Sequence, residues 1–277
     1  MNTINRVGEE RKRTNLCRNE VKMKKKGNVA IITGASSGIG REFAMQIAQG
    51  YRSVEEIWLI ARRRERLEAL KKQLLGRRIK IFSLDLAKQE DLEKFKKILE
   101  QEKPKIRIMV NAAGYGLIGN VESLSLEENT GMVDLNCRAL TAMTYMVLPY
   151  MAPNSNLIQM ASSAAFMPQP KFAVYAASKS YVMSFSQALA REVKDQGVCV
   201  TAVCPGPVKT EFFDIAETYE AVKIYKKLTM AKADKVVRRA LLDAKHKKTI
   251  SVYGGLMKGF RILCKILPHD WMLQFVK

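Results

Sequence analysis

Short apolar runs alternate with longer amphipathic stretches along most of the chain. The runs are rich in valine, isoleucine and leucine, and most of them stop at glycine, asparagine, serine or proline. This pattern is typical of strands that are buried on both faces of a parallel sheet. We therefore predict strands over residues 29–32, 56–61, 79–84, 106–110, 156–161, 198–204 and 249–252.

The stretches between these runs repeat their apolar residues at the spacing of an α-helix. They predict helices over residues 38–50, 64–75, 88–101, 173–196 and 233–244, and two helices or one bent helix over 125–151. Because strands and helices alternate as far as residue 204, we expect an α/β fold. Its natural form is a doubly wound, mostly parallel seven-stranded sheet with helices on both faces.

The ends of the chain differ from its middle. With 277 residues and no linker or repeat, the chain predicts a single domain over residues 27–252. Residues 1–26 are basic and carry few apolar side chains, so we expect a mobile extension, and translation from Met1 or from Met23 fits equally well. Residues 253–277 form a tail that is both apolar and basic.

The high net charge is compatible with several classes of partner, whereas the few cysteines and histidines argue against a metal site. The net charge of +20 suits an anionic lipid, a polyanionic cofactor or nucleic acid, or simply favours solubility. The basic extension has no aromatic residue for stacking on bases, so we do not expect nucleic acid. The 5 cysteines and 2 histidines lack metal-ligand spacing, so we expect no metal, and free thiols favour the cytoplasm.

A glycine-rich turn follows the first predicted strand. Gly34, Gly38 and Gly40 have the spacing G-x-x-x-G-x-G, and a predicted helix begins inside the motif. A helix that starts there presents bare backbone N–H groups to a phosphate, and side chains at the glycines would block that approach. The alternative is a tight turn that binds nothing.

A tyrosine and a lysine lie one helical turn apart in the helix predicted over 173–196. Tyr175 and Lys179 share a face at about 5 to 6 Å, and an ammonium beside a phenol lowers the pKa of the phenol. Ser162 lies upstream, just after a predicted strand, with Ser163 as the second choice. Such a group of side chains can move a proton to or from a carbonyl oxygen.

These motifs occur in the order found in one family. Residues 33–40 (TGASSGIG), 111–114 (NAAG), 175–179 (YAASK) and 205–210 (PGPVKT) resemble the short-chain dehydrogenase/reductase family. The resemblance spans about residues 27–252, and Val110 is a departure because it replaces an asparagine of the family. It implies a Rossmann-like fold, a homodimer or homotetramer, and hydride transfer between a nicotinamide and a ketone or secondary alcohol.

The resemblance assigns roles to particular residues. It implies that Ser162, Tyr175, Lys179 and Asn136 are catalytic, with Asn136 supporting a proton relay from a kinked helix. The alternative for Asn136 is a cross-helix hydrogen bond. The residues implied to bind the cofactor, in addition to Tyr175 and Lys179, are Gly34, Ser36, Ser37, Gly38, Ile39, Gly40, Arg62, Arg63, Asp85, Leu86, Asn111, Ala112, Ala113, Gly114, Pro205, Gly206, Val208 and Thr210.

Three of these positions have further interpretations. After the second strand, an acid would bind the ribose 2′-hydroxyl of NAD, whereas arginine suits the 2′-phosphate of NADP. Arg62, and next Arg63, therefore predict NADP(H) in preference to NAD(H). Asp85 has the implied role of reaching the adenine amino group, but it is equally good as a helix cap. Asn111 suits a structural link between central strands as well as a cofactor contact.

The last third of the chain bears on the substrate. Residues 211–232 are where the family has a substrate lid, and their aromatic side chains favour a bulky, apolar steroid-like or acyl-like substrate; a packing helix is the alternative. The tail 253–277 is suited to peripheral contact with a membrane, to covering the substrate site or to a subunit contact. A second function class remains, an NADPH-binding regulatory or membrane-associated protein without turnover.

Overall fold

The computed structural model describes residues 27–216 and 230–274. The basic extension 1–26, residues 217–229 of the expected lid, and residues 275–277 of the tail lie outside the described residues. The seven strands of one parallel sheet are β1 (Asn28–Thr33), β2 (Glu56–Ala61), β3 (Arg78–Ser83), β4 (Lys105–Asn111), β5 (Met151–Met160), β6 (Val198–Val203) and β7 (Ile250–Ser251).

The strands lie in the order β3-β2-β1-β4-β5-β6-β7, and every neighbouring pair is parallel. The order reverses between β1 and β4, where the connections lead to opposite faces of the sheet. Ligands of open α/β sheets bind at such a switch point, beyond the carboxyl ends of the strands. The predicted seven-stranded α/β fold is confirmed.

The helices pack on both faces of this sheet. They are α1 (Gly38–Gly50), α2 (Arg64–Gln73), α3 (Gln89–Glu102), α4 (Leu126–Val133), α5 (Leu140–Val147), α6 (Ala173–Glu192), α7 (Phe212–Ala216), α8 (Ala233–Lys245), α9 (Gly255–Ile266) and α10 (His269–Leu273). Alternate residues of β1 serve the two faces: Ile32 packs with Phe43 of α1 and Val237 of α8, and Ile31 packs with Phe95 of α3 and Met143 of α5.

The stretch expected to hold two helices or one bent helix is a helix interrupted by a wider turn. Between α4 and α5, residues Asp134–Ala139 form a π-helical segment. An extra residue in a helical turn displaces a backbone carbonyl and bends the helix, and such segments are frequent at functional sites. Asn136 lies inside this segment.

Some boundaries differ from the prediction. Strand β5 begins at Met151 rather than Asn156, because Met151 pairs with Ile106 of β4 before the two strands shift register. Helix α6 ends at Glu192 instead of reaching 196. Val193 packs on the same face of the sheet as Phe95 and Met143, and it is followed by a turn that ends at Gly197, whose φ is +72°.

Candidate active site

The glycine turn between β1 and α1 brings two stretches of backbone together. Gly34 has φ +65°, and a Cβ added there would lie 2.8 Å from the carbonyl carbon of Ala112. A Cβ on Gly40 would collide with the carbonyl oxygen of Gly34. Gly34 must therefore be glycine for two reasons: its φ is positive, and the backbone at the end of β4 lies too close to leave room for a Cβ.

The turn is tied to the end of β4 by a threonine hydroxyl. Thr33 Oγ1 accepts hydrogen bonds from the backbone N–H of Ala112 at 3.0 Å and of Ala113 at 3.1 Å. The start of α1 has no acidic residue in its first turn, and the side chain of its N-cap residue Ser37 forms no capping hydrogen bond. This helix N-terminus is electropositive and suited to an anion.

An arginine from the β2–α2 connection reaches this turn. Arg63 donates to Ser36 Oγ at 3.1 Å and to Ser37 Oγ at 2.8 Å. It also pairs with Glu211 at 3.2 Å, and Arg66 donates to the same carboxylate at 2.6 Å. The hydrogen bond from Arg66, followed by that from Arg63, lowers the pKa of Glu211.

The two predicted arginines are thus placed differently. Arg62 was the first choice and lines the cavity with an exposed side chain, whereas Arg63 makes the hydrogen bonds to the glycine turn. Sequence reasoning missed Glu211 because a carboxylate is not expected beside an anion site. Its position next to the predicted cofactor residue Thr210 was the available signal.

A hydrogen-bonded serine and tyrosine lie at the centre of the site. Ser162 follows β5, and its hydroxyl hydrogen-bonds the phenol of Tyr175 on α6. The Tyr175 ring stacks on Phe172 with centroids 4.2 Å apart and contacts Phe212 at 5.4 Å. Burial raises the pKa of Tyr175 to about 12, although the hydrogen bond to Ser162 acts in the opposite direction.

Lys179 lies on the same face of α6. Its Nζ donates to the carbonyl oxygen of Met160 at 3.0 Å and lies 5.6 Å from the Tyr175 ring centroid. Burial lowers the pKa of Lys179 to about 8, with small opposing effects from Cys137 and Cys204. The expectation that the ammonium lowers the pKa of the phenol is wrong for this geometry, because desolvation dominates both groups.

Asn136 supports the site from behind rather than facing the cavity. Its Nδ2 donates to the carbonyl oxygen of Tyr115 at 2.8 Å and to Ser178 Oγ at 3.0 Å, and its Oδ1 accepts from Tyr115 N–H at 3.1 Å. The side chain is buried and does not line the cavity. The cross-helix hydrogen bond that we considered is therefore present, and the proton relay stays a prediction.

Asn111 is placed away from the cavity, against its assignment to the cofactor. Its Nδ2 donates to Gln159 Oε1 at 2.9 Å and to Thr144 Oγ1 at 3.2 Å, and the side chain is buried between β4, β5 and α5. The two hydrogen bonds hold this side chain inside the protein, between neighbouring elements. The structural alternative applies, and Asn111 links the central strands.

Asp85 does not cap the helix that follows it. Its Oδ1 accepts from Ala87 N–H at 3.1 Å, and its own N–H donates to Asp91 Oδ2 at 2.8 Å. Helix α3 begins later, with Lys88 as its N-cap residue. The capping interpretation is wrong, since the carboxylate closes a local turn beside the cavity.

One cavity of about 660 Å³ joins these groups. Its polar end contains the glycine turn and the two arginines, and Ser162, Tyr175 and Lys179 lie near its middle. Of the predicted site residues, only Asn111 and Asn136 are absent from its walls. The apolar end is formed by Ile118, Met167, Phe172, Phe212, Phe213, Leu256, Met257 and Phe260.

Comparison with known proteins identifies the family. The short chain dehydrogenase family matches residues 28–220 of the sequence. This chain belongs to the short-chain dehydrogenase family. An uncharacterized oxidoreductase of Staphylococcus epidermidis is 31% identical over 203 residues, which cover 73% of this chain and 86% of that protein.

Two further relatives carry more specific descriptions. A very-long-chain 3-oxoacyl-CoA reductase of Neurospora crassa is 33% identical over 222 residues, which cover 76% of this chain and 65% of that protein. The solved structure of a short-chain dehydrogenase from Sphingobium yanoikuyae in complex with NADPH superposes with a TM-score of 0.72 at 26% identity. That superposition covers 87% of this chain and 96% of the other.

The polar end of this short-chain dehydrogenase fits a dinucleotide. The N-terminus of α1 has no side-chain cap and no acid in its first turn, and Gly38 lines the cavity there, so backbone N–H groups are available to a phosphate. A Cβ at Gly114 would lie 2.6 Å from Asn136 Oδ1 and 3.2 Å from Lys179 Nζ. Within residues 27–216 and 230–274, no group of three or more His, Cys, Asp or Glu side chains is placed to hold a metal ion.

Sequence reasoning missed much of the apolar end of this dehydrogenase. Tyr115, Ile118 and Met167 have no motif, and only the tertiary fold brings them to the cavity wall. Tyr115 packs in the cluster around Tyr175, and Met167 packs in another cluster. Helix α9 supplies Met257 and Phe260, so the tail contributes to the wall of the cavity, as one of our three interpretations of the tail expected. The signal available for α9 was its apolar periodicity.

Proposed function

We propose that this short-chain dehydrogenase transfers a hydride between NADP(H) and a bulky, apolar ketone or secondary alcohol. The observation that carries the proposal is a single cavity with a glycine turn and arginines at one end, the Ser162–Tyr175 pair near its middle and an apolar wall at the other end. Family membership supports an enzyme that acts on CH–OH groups rather than a regulator without turnover.

The preference for NADP(H) rests on the arginines. Arg62 lines the polar end, and Arg63 already bonds the hydroxyls of Ser36 and Ser37. A guanidinium binds a phosphate through two parallel N–H groups. The 2′-phosphate of NADP would compete with Glu211 for Arg63, and it would win because it carries more charge and more acceptor oxygens. The Sphingobium relative was solved with NADPH, which supports this assignment.

The chemistry of the protein's own groups is general acid–base catalysis. When bound, the nicotinamide supplies or accepts the hydride. In reduction, the substrate carbon takes the hydride and the carbonyl oxygen takes a proton from the Tyr175 phenol, which its raised pKa of about 12 keeps protonated at neutral pH. The Ser162 hydroxyl holds the same oxygen.

Lys179 and Asn136 have supporting roles in this proposal. Lys179 reaches from α6 toward the space beside Gly114, where ribose hydroxyls would bind its ammonium group. Asn136 fixes Tyr115 and, through Ser178, the first turns of α6. It is a positioning residue, and we expect its π-helical segment, a kind of segment frequent at functional sites, to support the proton relay.

The apolar end supports an acyl-like or steroid-like substrate. Phe172, Phe212, Met257 and Phe260 would contact a long hydrocarbon or a flat ring system, whereas a sugar would leave its hydroxyls without partners there. The Neurospora relative is named for 3-oxoacyl-CoA reduction, which favours an acyl ketone. An acyl chain is therefore our first choice.

The test is a screen of apolar ketones, 3-oxoacyl thioesters, steroids and sugars with NADPH, NADP, NADH and NAD, followed by nicotinamide absorbance. We expect turnover of an apolar carbonyl with NADPH in preference to NADH. Strong preference for NADH would contradict the roles of Arg62 and Arg63. Tight binding of NADPH with no turnover of any carbonyl or alcohol would favour the regulatory alternative.

Assembly and location complete the proposal. We expect a homodimer or homotetramer in the cytoplasm, and the free state of the four cysteines that the structure describes supports a reducing compartment. Light scattering during size-exclusion chromatography will give the mass of the assembly. A purely monomeric protein would exclude the proposed oligomers.

A further inference from the structure

Helix α9 has apolar residues on both its inner and its outer face. Met257, Phe260 and Cys264 point inward, and Phe260 contacts Phe166 with ring centroids 6.2 Å apart. The outer face carries large apolar side chains that are largely exposed, namely Leu256 at 69%, Ile262 at 59%, Leu263 at 46% and Ile266 at 72%. Their spacing of three, four and seven residues places them along one stripe of the helix.

Cations lie along one side of this stripe. Lys258, Arg261 and Lys265 lie on α9 between the stripe and the body of the protein, and they border a cleft of about 330 Å³ that also contains Arg239 and Lys248. Within the part of the chain that the structure describes, no carboxylate lies within salt-bridge distance of the three α9 cations.

The carboxylate inside the cleft does not neutralise these cations. Asp243 is buried, and its oxygens already bind Arg239 at 2.8 Å, Lys248 at 3.0 Å and Ser251 at 2.8 Å. Arg239 and Lys248 have a partner, whereas the α9 cations have no carboxylate partner among the described residues. The surface therefore pairs an exposed apolar stripe with an electropositive edge.

The next helix extends this surface. Trp271 of α10 has half of its side chain exposed, at 51%. Tryptophan is enriched where one side of the ring meets hydrocarbon and the other meets polar headgroups. None of the described helices has the length and hydropathy needed to cross a bilayer, so contact with lipid would be parallel to the surface.

We propose that the outer face of α9, with Trp271, docks on an anionic membrane surface. Leu256, Ile262, Leu263 and Ile266 enter the boundary between headgroups and acyl chains, and the α9 cations bind lipid phosphates. A second copy of this chain is a poorer occupant. In a two-fold contact the same patch meets itself, and the described residues of this patch offer no free carboxylate to pair with the cations of α9.

The position of the surface has a consequence for the site. Leu256 belongs both to the exposed stripe and to the wall of the active-site cavity. Docking therefore places the apolar end of the cavity next to the lipid. An apolar substrate could then enter the cavity directly from the bilayer. This last step is the only one that rests on the proposed function.

The test uses full-length protein and vesicles, with no assay of activity. Phosphatidylcholine vesicles with and without about 30% phosphatidylglycerol are centrifuged with the wild type and with the double variant Ile262→Gln/Ile266→Gln. We expect the wild type to bind the anionic vesicles and the variant to bind at least about tenfold more weakly, because two apolar side chains that would enter the lipid are replaced by polar ones. The charge reversal Lys258→Glu/Lys265→Glu should weaken binding to the anionic vesicles and reduce the dependence of that binding on salt concentration.

The matched control is Leu75→Gln/Leu126→Gln, which removes two exposed apolar side chains elsewhere on the surface. It should bind vesicles like the wild type, which separates the α9 face from general stickiness and from the basic extension. Doxyl-labelled lipid should quench Trp271 but not the buried Trp58, and thermal melting will show that each variant is folded. Equal vesicle binding by wild type and α9 double variant overturns the proposal. Loss of self-association in the α9 variant, with vesicle binding unchanged, would instead assign this face to a subunit contact.

Discussion

The two ends of the cavity differ in whether backbone atoms or side chains shape them. At the polar end the decisive atoms belong to the backbone. A Cβ on Gly34 would collide with the backbone of Ala112, and a Cβ on Gly40 would collide with that of Gly34. Thr33 Oγ1 holds the backbone of Ala112 and Ala113 by two hydrogen bonds. At the apolar end the decisive atoms are side chains from distant elements, such as Phe172, Phe212 and Phe260.

This difference explains why one end is recognisable and the other is specific to this protein. Backbone contacts with phosphates require small residues at set spacings, so they leave a motif in the sequence. An apolar wall needs only bulk and shape, which many residue combinations supply. Variants at the polar end should therefore change cofactor binding, and variants at the apolar end should change substrate binding alone.

The largest effect is expected between the two ends, at Tyr175. Tyr175→Phe removes the proton donor and should lower kcat by about 10²- to 10⁴-fold, while cofactor binding stays unchanged. The control Tyr181→Phe removes the hydroxyl of another tyrosine of α6, which bonds Thr141 at 2.7 Å. Steady-state kinetics and cofactor titration measure both. A Tyr175→Phe enzyme with near-normal kcat would place the acid elsewhere.

The next effect concerns the backbone contact at the polar end. Gly34→Ala should lower the free energy of unfolding by about 2 to 4 kcal/mol and weaken cofactor binding, because positive φ and contact with Ala112 combine. Gly76 also has positive φ, at +75°, but a Cβ there meets nothing within 4 Å. Gly76→Ala should therefore cost only about 1 to 2 kcal/mol. Equal losses in urea unfolding would show that closeness to Ala112 is unimportant.

The preference for NADPH over NADH tests the proposed roles of Arg62 and Arg63. Arg62→Ser/Arg63→Ser should reduce the ratio of kcat/KM for NADPH to that for NADH by about 10- to 100-fold, through loss of charge-assisted hydrogen bonds. Arg64→Ser is the control, because Arg64 is exposed and pairs with Glu68 at 3.6 Å. An unchanged ratio in the double variant would mean that neither guanidinium contacts the 2′-phosphate.

At the apolar end, Phe260→Ala should raise KM for a bulky apolar substrate by about tenfold and leave the Kd for NADPH unchanged. Leu263→Ala on the outward face of the same helix is the control for truncating an apolar residue of α9. If Phe260→Ala weakens cofactor and substrate equally, the two ends are not independent, and the contrast between them fails.

The last expected effect is a pH trend in stability. Burial lowers the pKa of Lys179 to about 8, whereas an unfolded lysine has a pKa of about 10.4. Between these values the unfolded chain binds more protons, so the wild type gains stability as the pH rises from 8 toward 10. Lys179→Met should lack this gain, and urea unfolding at several pH values will show it. Above about pH 10 the raised pKa of Tyr175 acts in the reverse direction, which limits the window.

Sequence patterns predicted most of the fold, because strands buried on both faces need continuous apolar runs. The strand Glu56–Ala61 matches its predicted bounds, and the others differ mainly at their ends. Strand β5 was predicted too short because Met151 pairs with β4 and Ser155 pairs with β6, although residues 151–155 have no apolar pattern of their own. Pairing between distant strands is a tertiary property, and local composition carries little trace of it.

The candidate site shows the same division. Spacing alone predicted that Tyr175 and Lys179 share a helix face and that glycines precede α1, since both follow from local helix and turn geometry. Only packing decided that Asn111 points to Gln159 and away from the cavity, and that Arg63 rather than Arg62 bonds the glycine turn. Side-chain direction at the end of a strand depends on its neighbours.

By itself, therefore, the sequence determined the strand–helix alternation, the glycine-rich turn and the order of the motifs, because each depends on residues close together in the chain. The tertiary structure decided the apolar wall, the partnership of Glu211 with Arg63, and the direction of the pKa values. These features depend on which groups, distant in the chain, pack together and exclude water. For Tyr175 and Lys179, burial has a larger effect on the pKa than the charge of the neighbour, because both groups lose their water.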